Sequence, residues 1–142
     1  MPRPEAIPVK IPFSRNCLKT VGIVAGIKPV FDVRKVSSIS KKTILIFFNG
    51  KNKVIKELKV SVGTVNQTVA SPRELFLEAL RCEAVSVLMI HNHPSGDPTP
   101  SRQDILTTKR MKEAGEFLGI PLCDHIIIGD RTYISFREEH MI

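Results

Sequence analysis

The stretch His91-Asn92-His93-Pro94-Ser95-Gly96-Asp97-Pro98-Thr99-Pro100-Ser101-Arg102-Gln103-Asp104 gathers the residue types that can hold a metal. Side chains two apart on an extended backbone point the same way, so a strand running through His91 and His93 puts both imidazoles on one side. Pro94, Pro98 and Pro100 stiffen the loop that follows and reduce the entropy lost in bringing Asp104 back to them. Asp104 falls in the first turn of a helix, where the macrodipole stabilises its ionised form. Two neutral imidazoles and one carboxylate suit a single Zn²⁺ with the fourth position left to water; Fe²⁺ and Mn²⁺ accept the same donors. An open position marks a catalytic centre, in which the ion lowers the pKa of water toward neutrality. The bland alternative is a loop whose histidines bond backbone and whose Asp104 only caps a helix. It would prevail for a bare His-x-His; the rigid loop and the helix-anchored acid make this pattern more specific. Asp97 could serve as a further ligand or support one, but Gly96-Asp97-Pro98 is ordinary turn chemistry, and that reading is preferred.

The elements that must position these residues are legible on both sides. Val85 to Ile90 is an apolar strand leading into His91. Ser101 starts a helix with Asp104 at the N3 position of a capping box; it runs through Ile105, Leu106, Met111, Ala114 and Leu118, and Gly119 and Pro121 stop it. Ser71-Pro72-Arg73-Glu74 is a second helix start, with Ser71 as N-cap and Pro72 at N1, running to about Cys82. Thr43 to Phe48 reads as a strand covered on both faces, Asn49-Gly50-Lys51-Asn52 as a turn, and Val54 to Val62 as a half-exposed strand, giving a β-hairpin over 43–62. Gly63 to Ala70 reads as a loop and short strand. Leu122 to Ile128 is a buried strand, Gly129-Asp130-Arg131 a tight turn, and Thr132 to Phe136 the last strand. His125, beginning a buried strand, could orient a ligand but is read as structural; His140 carries no signal. The expected architecture is a layered α/β (α+β) domain, a mixed β-sheet flanked by helices.

The 142 residues allow one domain with a sizeable core. An arm with Pro2, Pro4, Pro8 and Pro12, a short helix over 14–27 and a connector are expected in residues 1–40, the domain in 41–138, and a polar tail in 139–142. No apolar run approaches membrane-spanning length, and the N-terminus lacks a signal-peptide pattern, so a cytoplasmic protein without membrane contact is expected. Three cysteines, Cys17, Cys82 and Cys123, form no Cys-x-x-Cys pair, which argues against a cysteine-based zinc site and for a reducing compartment. The net charge of +7 favours acidic partners, nucleic acid among them, but lysines scattered to keep the chain soluble are the preferred reading in the absence of an aromatic-basic motif.

The spacing His91-x-His93-Pro94-x₆-Ser101-x₂-Asp104 resembles the JAMM signature of the MPN metalloprotease fold. With Ser61-Val62-Gly63-Thr64, Ser71-Pro72-Arg73-Glu74 and Asp124-His125-Ile126-Ile127-Ile128-Gly129, the chain resembles the bacterial RadC family over about residues 43–138. The resemblance implies a JAMM/MPN, cytidine-deaminase-like layered fold, Zn²⁺ held by His91, His93 and Asp104, and cleavage of peptide or isopeptide bonds in a peptide or protein substrate. It implies that Ser101 donates a hydrogen bond to the developing oxyanion, beside its simpler role as a helix cap. The JAMM pattern also needs an upstream glutamate as proton acceptor. Counted back from the turn at Asn49-Gly50, that position falls near Lys41-Lys42, and no Asp or Glu occurs between Asp32 and Glu57. Glu57 is the candidate substitute base, although the hairpin's solvent face is the more natural place for it. The expectation is therefore a zinc-binding domain whose hydrolysis is impaired. The alternative is a DNA-associated repair or recombination module with a structural or vestigial zinc site, in which Lys51, Lys53, Lys56 and Lys59 on the basic hairpin contact phosphates weakly. A zinc deaminase ranks last, because its His-x-Glu and Pro-Cys-x-x-Cys signatures are absent.

Overall fold

The computed structural model describes residues 41–61, 71–130 and 132–142. The arm, helix and connector expected over 1–40, and the loop and strand expected over 63–70, lie outside them. The hairpin forms as expected. Strands β1 (Lys42–Phe48) and β2 (Val54–Ser61) pair antiparallel, with a register shift at Phe47/Phe48. The turn closes because the Asn49 side chain accepts from the backbone N–H groups of Lys51 and Lys53, while Asn52 takes a φ of 59°.

Helix α1 (Pro72–Arg81) begins where the Ser71 hydroxyl accepts from the Glu74 N–H. It leads into β3 (Ser86–Asn92), every residue of which is buried. Helix α2 (Arg102–Leu118) ends at Gly119, whose φ of 71° is the left-handed cap that glycine adopts without strain. Strands β4 (Leu122–Ile128) and β5 (Tyr133–Ser135) complete a mixed sheet of order β2-β1-β3-β4-β5. β3 and β4 are parallel, joined by the crossover through α2; the other neighbours are antiparallel.

The sheet has two buried faces. Leu45, Phe47, Val87, Met89 and Leu122 pack with Leu75, Phe76 and Ala79 of α1 and Met111 of α2. Ile44, Ile46, Phe48, Leu88, Ile90, Ile126 and Ile128 form a second cluster on the opposite face. Alternation along β3 therefore sends His91, with Val87 and Met89, toward the helices. Near the C-terminus the backbone N–H of Arg137 donates to the Asp124 carboxylate and that of Met141 to Phe136 O. Among the described residues no helix is long and apolar enough to cross a membrane.

Candidate metal centre

β3 delivers His91 as a strand residue, and the backbone N–H of His93 still donates to Ile128 O of β4 at 2.9 Å, so the extended chain continues through both histidines. The capping box at the start of α2 is complete. Ser101 Oγ accepts from the Asp104 N–H at 3.1 Å, and the Ser101 N–H donates to Asp104 Oδ2 at 2.8 Å. This box turns the Asp104 carboxylate back toward the sheet and buries it.

Three donor atoms converge. His91 Nε2 lies 3.0 Å from His93 Nε2, His93 Nε2 lies 3.1 Å from Asp104 Oδ2, and His91 Nε2 lies 3.3 Å from Asp104 Oδ1. His93 Nδ1 sits 2.8 Å from the Asp97 carbonyl oxygen. A carbonyl can only accept, so Nδ1 carries the proton and Nε2 of the neutral ring presents a lone pair to the cluster. His91 Nδ1 contacts Nε2 of His125, and Thr108 Oγ1 contacts His125 Nδ1.

The electrostatics agree with ligands ready for a cation. Burial pushes the His91 imidazole below its ordinary value, against the opposing pull of Asp104. Burial alone would raise the Asp104 carboxyl, but in the acidic range where it titrates a protonated His91 and the hydrogen bonds from Ser101 outweigh burial and hold the group well below the usual carboxylate range. In the unprotonated forms that ligate a metal, the three donor atoms would aim electron pairs at one another across the 3.0–3.3 Å separations, an arrangement that a shared cation relieves. The separations also fit: tetrahedral Zn²⁺ bonds of about 2.0–2.1 Å require ligand–ligand edges of about 3.3 Å. Thr43, directly across from His91 in the β1–β3 pairing, has a buried Oγ1 with no hydrogen-bond partner among the described residues. A buried hydroxyl left unsatisfied costs about 1–3 kcal/mol, so a polar group on this side of the sheet would be stabilising. The residues present therefore fit a metal ion, and among the described residues this trio is the group able to hold one.

Other expected site residues fall differently. Glu57 pairs with Ile46, whose side chain belongs to the face away from the helices, so the register does not bring Glu57 to the histidines. The Asp97 carboxylate is occupied by the Thr99 N–H and hydroxyl, as turn chemistry predicts, while its carbonyl orients His93. His125, read from sequence as structural, contacts His91 directly. Lys41 precedes Thr43 by two residues, on the histidine side by alternation, and its charge opposes protonation of both His91 and His125. The hairpin lysines are divided: Lys56 bonds Glu78 of α1 on the helix side, whereas Lys59 pairs with Ile44 and faces the other way.

A mixed sheet with its helices against one face, and a His-x-His strand end meeting a helix-capping Asp, defines a JAB/MPN-type α/β domain. The RadC-like JAB domain family matches residues 28–141, and the chain belongs to that family. A UPF0758 protein of Enterococcus faecalis is 54% identical over 97 residues, covering 68% of this chain and 42% of that protein. A UPF0758 protein of Pelobacter propionicus is 48% identical over 99 residues (70% and 43%), and one of Methanosarcina mazei 47% over 102 residues (72% and 44%). The chain thus spans a little over two fifths of the length of these curated relatives.

Proposed function

We propose that this chain is a Zn²⁺-binding domain of metallohydrolase type, directed at peptide or isopeptide bonds and impaired in turnover because a lysine stands where the proton acceptor is needed. The observation that carries the reading is the convergence of His91 Nε2, His93 Nε2 and the Asp104 carboxylate within 3.0–3.3 Å of one another. Bound there, Zn²⁺ would supply a Lewis acid and a water activated at neutral pH.

The chain's own residues define what it can add. The Asp97 carbonyl holds the His93 ring in one tautomer. The capping box uses the Ser101 oxygen as an acceptor and leaves its hydroxyl proton free to donate, so capping and oxyanion stabilisation are compatible at one residue. Lys41 brings a positive charge and no lone pair at neutral pH, so it cannot take a proton from the nucleophile.

Metal content of the purified protein and of His91→Ala, measured by elemental analysis, tests the binding reading. About one equivalent of zinc in the first and a large loss in the second is expected; equal content in both removes its basis. The DNA-associated reading draws on the net charge of +7 and on the exposed Lys51 and Lys53 of the hairpin turn.

A further inference from the structure

His91, His125 and Thr108 form a buried chain whose proton positions can be worked out from one end. Thr108 Oγ1 lies 2.8 Å from the backbone carbonyl oxygen of Asp104, one helical turn earlier. A carbonyl cannot donate, so the single hydroxyl proton of Thr108 is spent there. Thr108 Oγ1 can then meet His125 Nδ1, 2.5 Å away, only as an acceptor, and Nδ1 carries a proton. The His125 ring is fully buried, with Phe136 stacked on it and, among the described residues, only Thr108 Oγ1 and His91 Nδ1 against its nitrogens; a buried ring with no carboxylate in contact is held neutral, so its Nε2 is bare. His91 Nδ1, 2.6 Å from that bare nitrogen, must donate. With its proton on Nδ1, His91 has a lone pair on Nε2, the atom that faces His93 and Asp104.

The chain closes on itself. It starts at the backbone of one member of the trio, Asp104, and ends at the ring of another, His91. Its middle is clamped: Phe136 stacks on the His125 ring at 4.7 Å between centroids and 17° between planes, and the His125 backbone N–H donates to Asp124. Histidines that bind metals commonly donate their second nitrogen to a carboxylate, carbonyl or water. Here the acceptor is a second neutral histidine, set by a threonine.

We infer that His125 and Thr108 are positioning residues: they fix His91 in the Nδ1–H tautomer and so aim its Nε2 lone pair at the metal position. The inference rests on the metal-binding reading above for its consequence, but not for the tautomer itself. Thr108→Val keeps the side-chain shape and removes the acceptor. His125 is then free to carry its proton on Nε2 and donate to His91, which moves the His91 proton onto the nitrogen that should face the ion. Thr108→Ser restores the hydroxyl.

The test combines two readouts. Long-range ¹⁵N–¹H spectra of the metal-free protein assign each ring's tautomer, and competition with a chromophoric chelator gives the Zn²⁺ affinity. Nδ1–H on both His91 and His125 is expected in the wild type. Zinc affinity should fall about 10- to 100-fold in Thr108→Val, the range typical of lost supporting partners, and return close to wild type in Thr108→Ser. A wild-type spectrum with the His91 proton on Nε2 overturns the inference whatever zinc does. So does a Thr108→Val protein that binds zinc as tightly as wild type. A wild type that binds no zinc while showing Nδ1–H on both rings sinks the proposed function and leaves the tautomer relay supported.

Discussion

Thr43 stands directly across from His91 in the antiparallel pairing of β1 with β3. Lys41, two residues earlier, therefore falls on the histidine side of the sheet, where the proposed metallohydrolase would need a proton acceptor. Lys41→Glu should convert a weak or inactive protein into a better one. A positioned general base contributes about 10²- to 10⁴-fold, so a gain of even the lower size is readily measured in a peptidase assay at matched zinc content. Glu57→Gln should leave turnover unchanged, since Glu57 shares a face with Ile46 and not with His91. A Lys41→Glu protein no more active than wild type, with zinc bound in both, would show that a missing acceptor at this position is not what limits the chemistry.

The buried histidines set the pH dependence of the metal-free fold. Burial lowers His91 and His125 from the ordinary value of 6.5, so below that value the unfolded chain binds protons that the folded chain refuses. Stability then rises with pH through this window and falls as pH drops from about 6.5 toward the lowered folded values. Asp104, also lowered, has the same sign at more acidic pH: its contribution is present above the ordinary value of 3.8 and lost as pH falls further. Asp124, raised by burial, works in the opposite sense within the acidic range. The expected result is a melting temperature that declines steadily from pH 7 to pH 5.5 without metal. A flat or rising profile over that interval would contradict the neutral, buried state assigned to the two rings.

Two glycines separate stability from site geometry. A Cβ on Gly129 would meet the Gly96 carbonyl oxygen at 2.3 Å and Pro98 Cδ at 2.8 Å. The same contact region carries the Asp130 N–H to Gly96 O bond at 2.7 Å, which docks the histidine loop on the end of β4. Gly129→Ala should push that loop away, costing about 1–3 kcal/mol of stability and weakening zinc binding with it. At Gly119 nothing lies within 4 Å of an added Cβ, and only its φ of 71° resists a side chain. Gly119→Ala should cost about 1–2 kcal/mol from backbone strain and leave zinc affinity unchanged. Denaturant melts and chelator competition on both variants check the contrast; parallel losses of affinity would mean that the loop contact is not what the Gly129 change disturbs.

The trio His91, His93 and Asp104 was readable because each member depends on a local rule: alternation along a strand for the first two, the capping box for the third. The hairpin and both helices were readable for the same reason. His125 was not, because its role depends on which residues of β3 and β4 lie side by side. The parallel register sets Met89 beside His125 and His91 beside Ile127, a result of the α2 crossover that no short stretch encodes. One local signal existed: Thr108 lies four residues after Asp104, on the same helix face, where a hydroxyl can share the acid's surroundings. Glu57 and the hairpin lysines were ambiguous until the register with β1 divided them between two faces.

That division limits what the hairpin can do with nucleic acid. Lys56 is held by Glu78, and Lys59 lies on the face opposite Lys56, which leaves Lys51 and Lys53, in and beside the turn, as neighbouring exposed cations with no ion pair among the described residues. Each phosphate neutralised contributes about −0.9 to the slope of log affinity against log salt on duplex DNA. Two lysines therefore give a slope of about −1.8, and four acting together about −3.6. Binding measured across a salt series should show the shallower value. Lys51→Glu with Lys53→Glu should abolish it, while Lys56→Ala should lower the melting temperature and leave DNA affinity nearly unchanged. A slope near the steeper value, reduced by Lys56→Ala, would mean that the Lys56–Glu78 pair opens on DNA and that the basic hairpin engages phosphates as a unit.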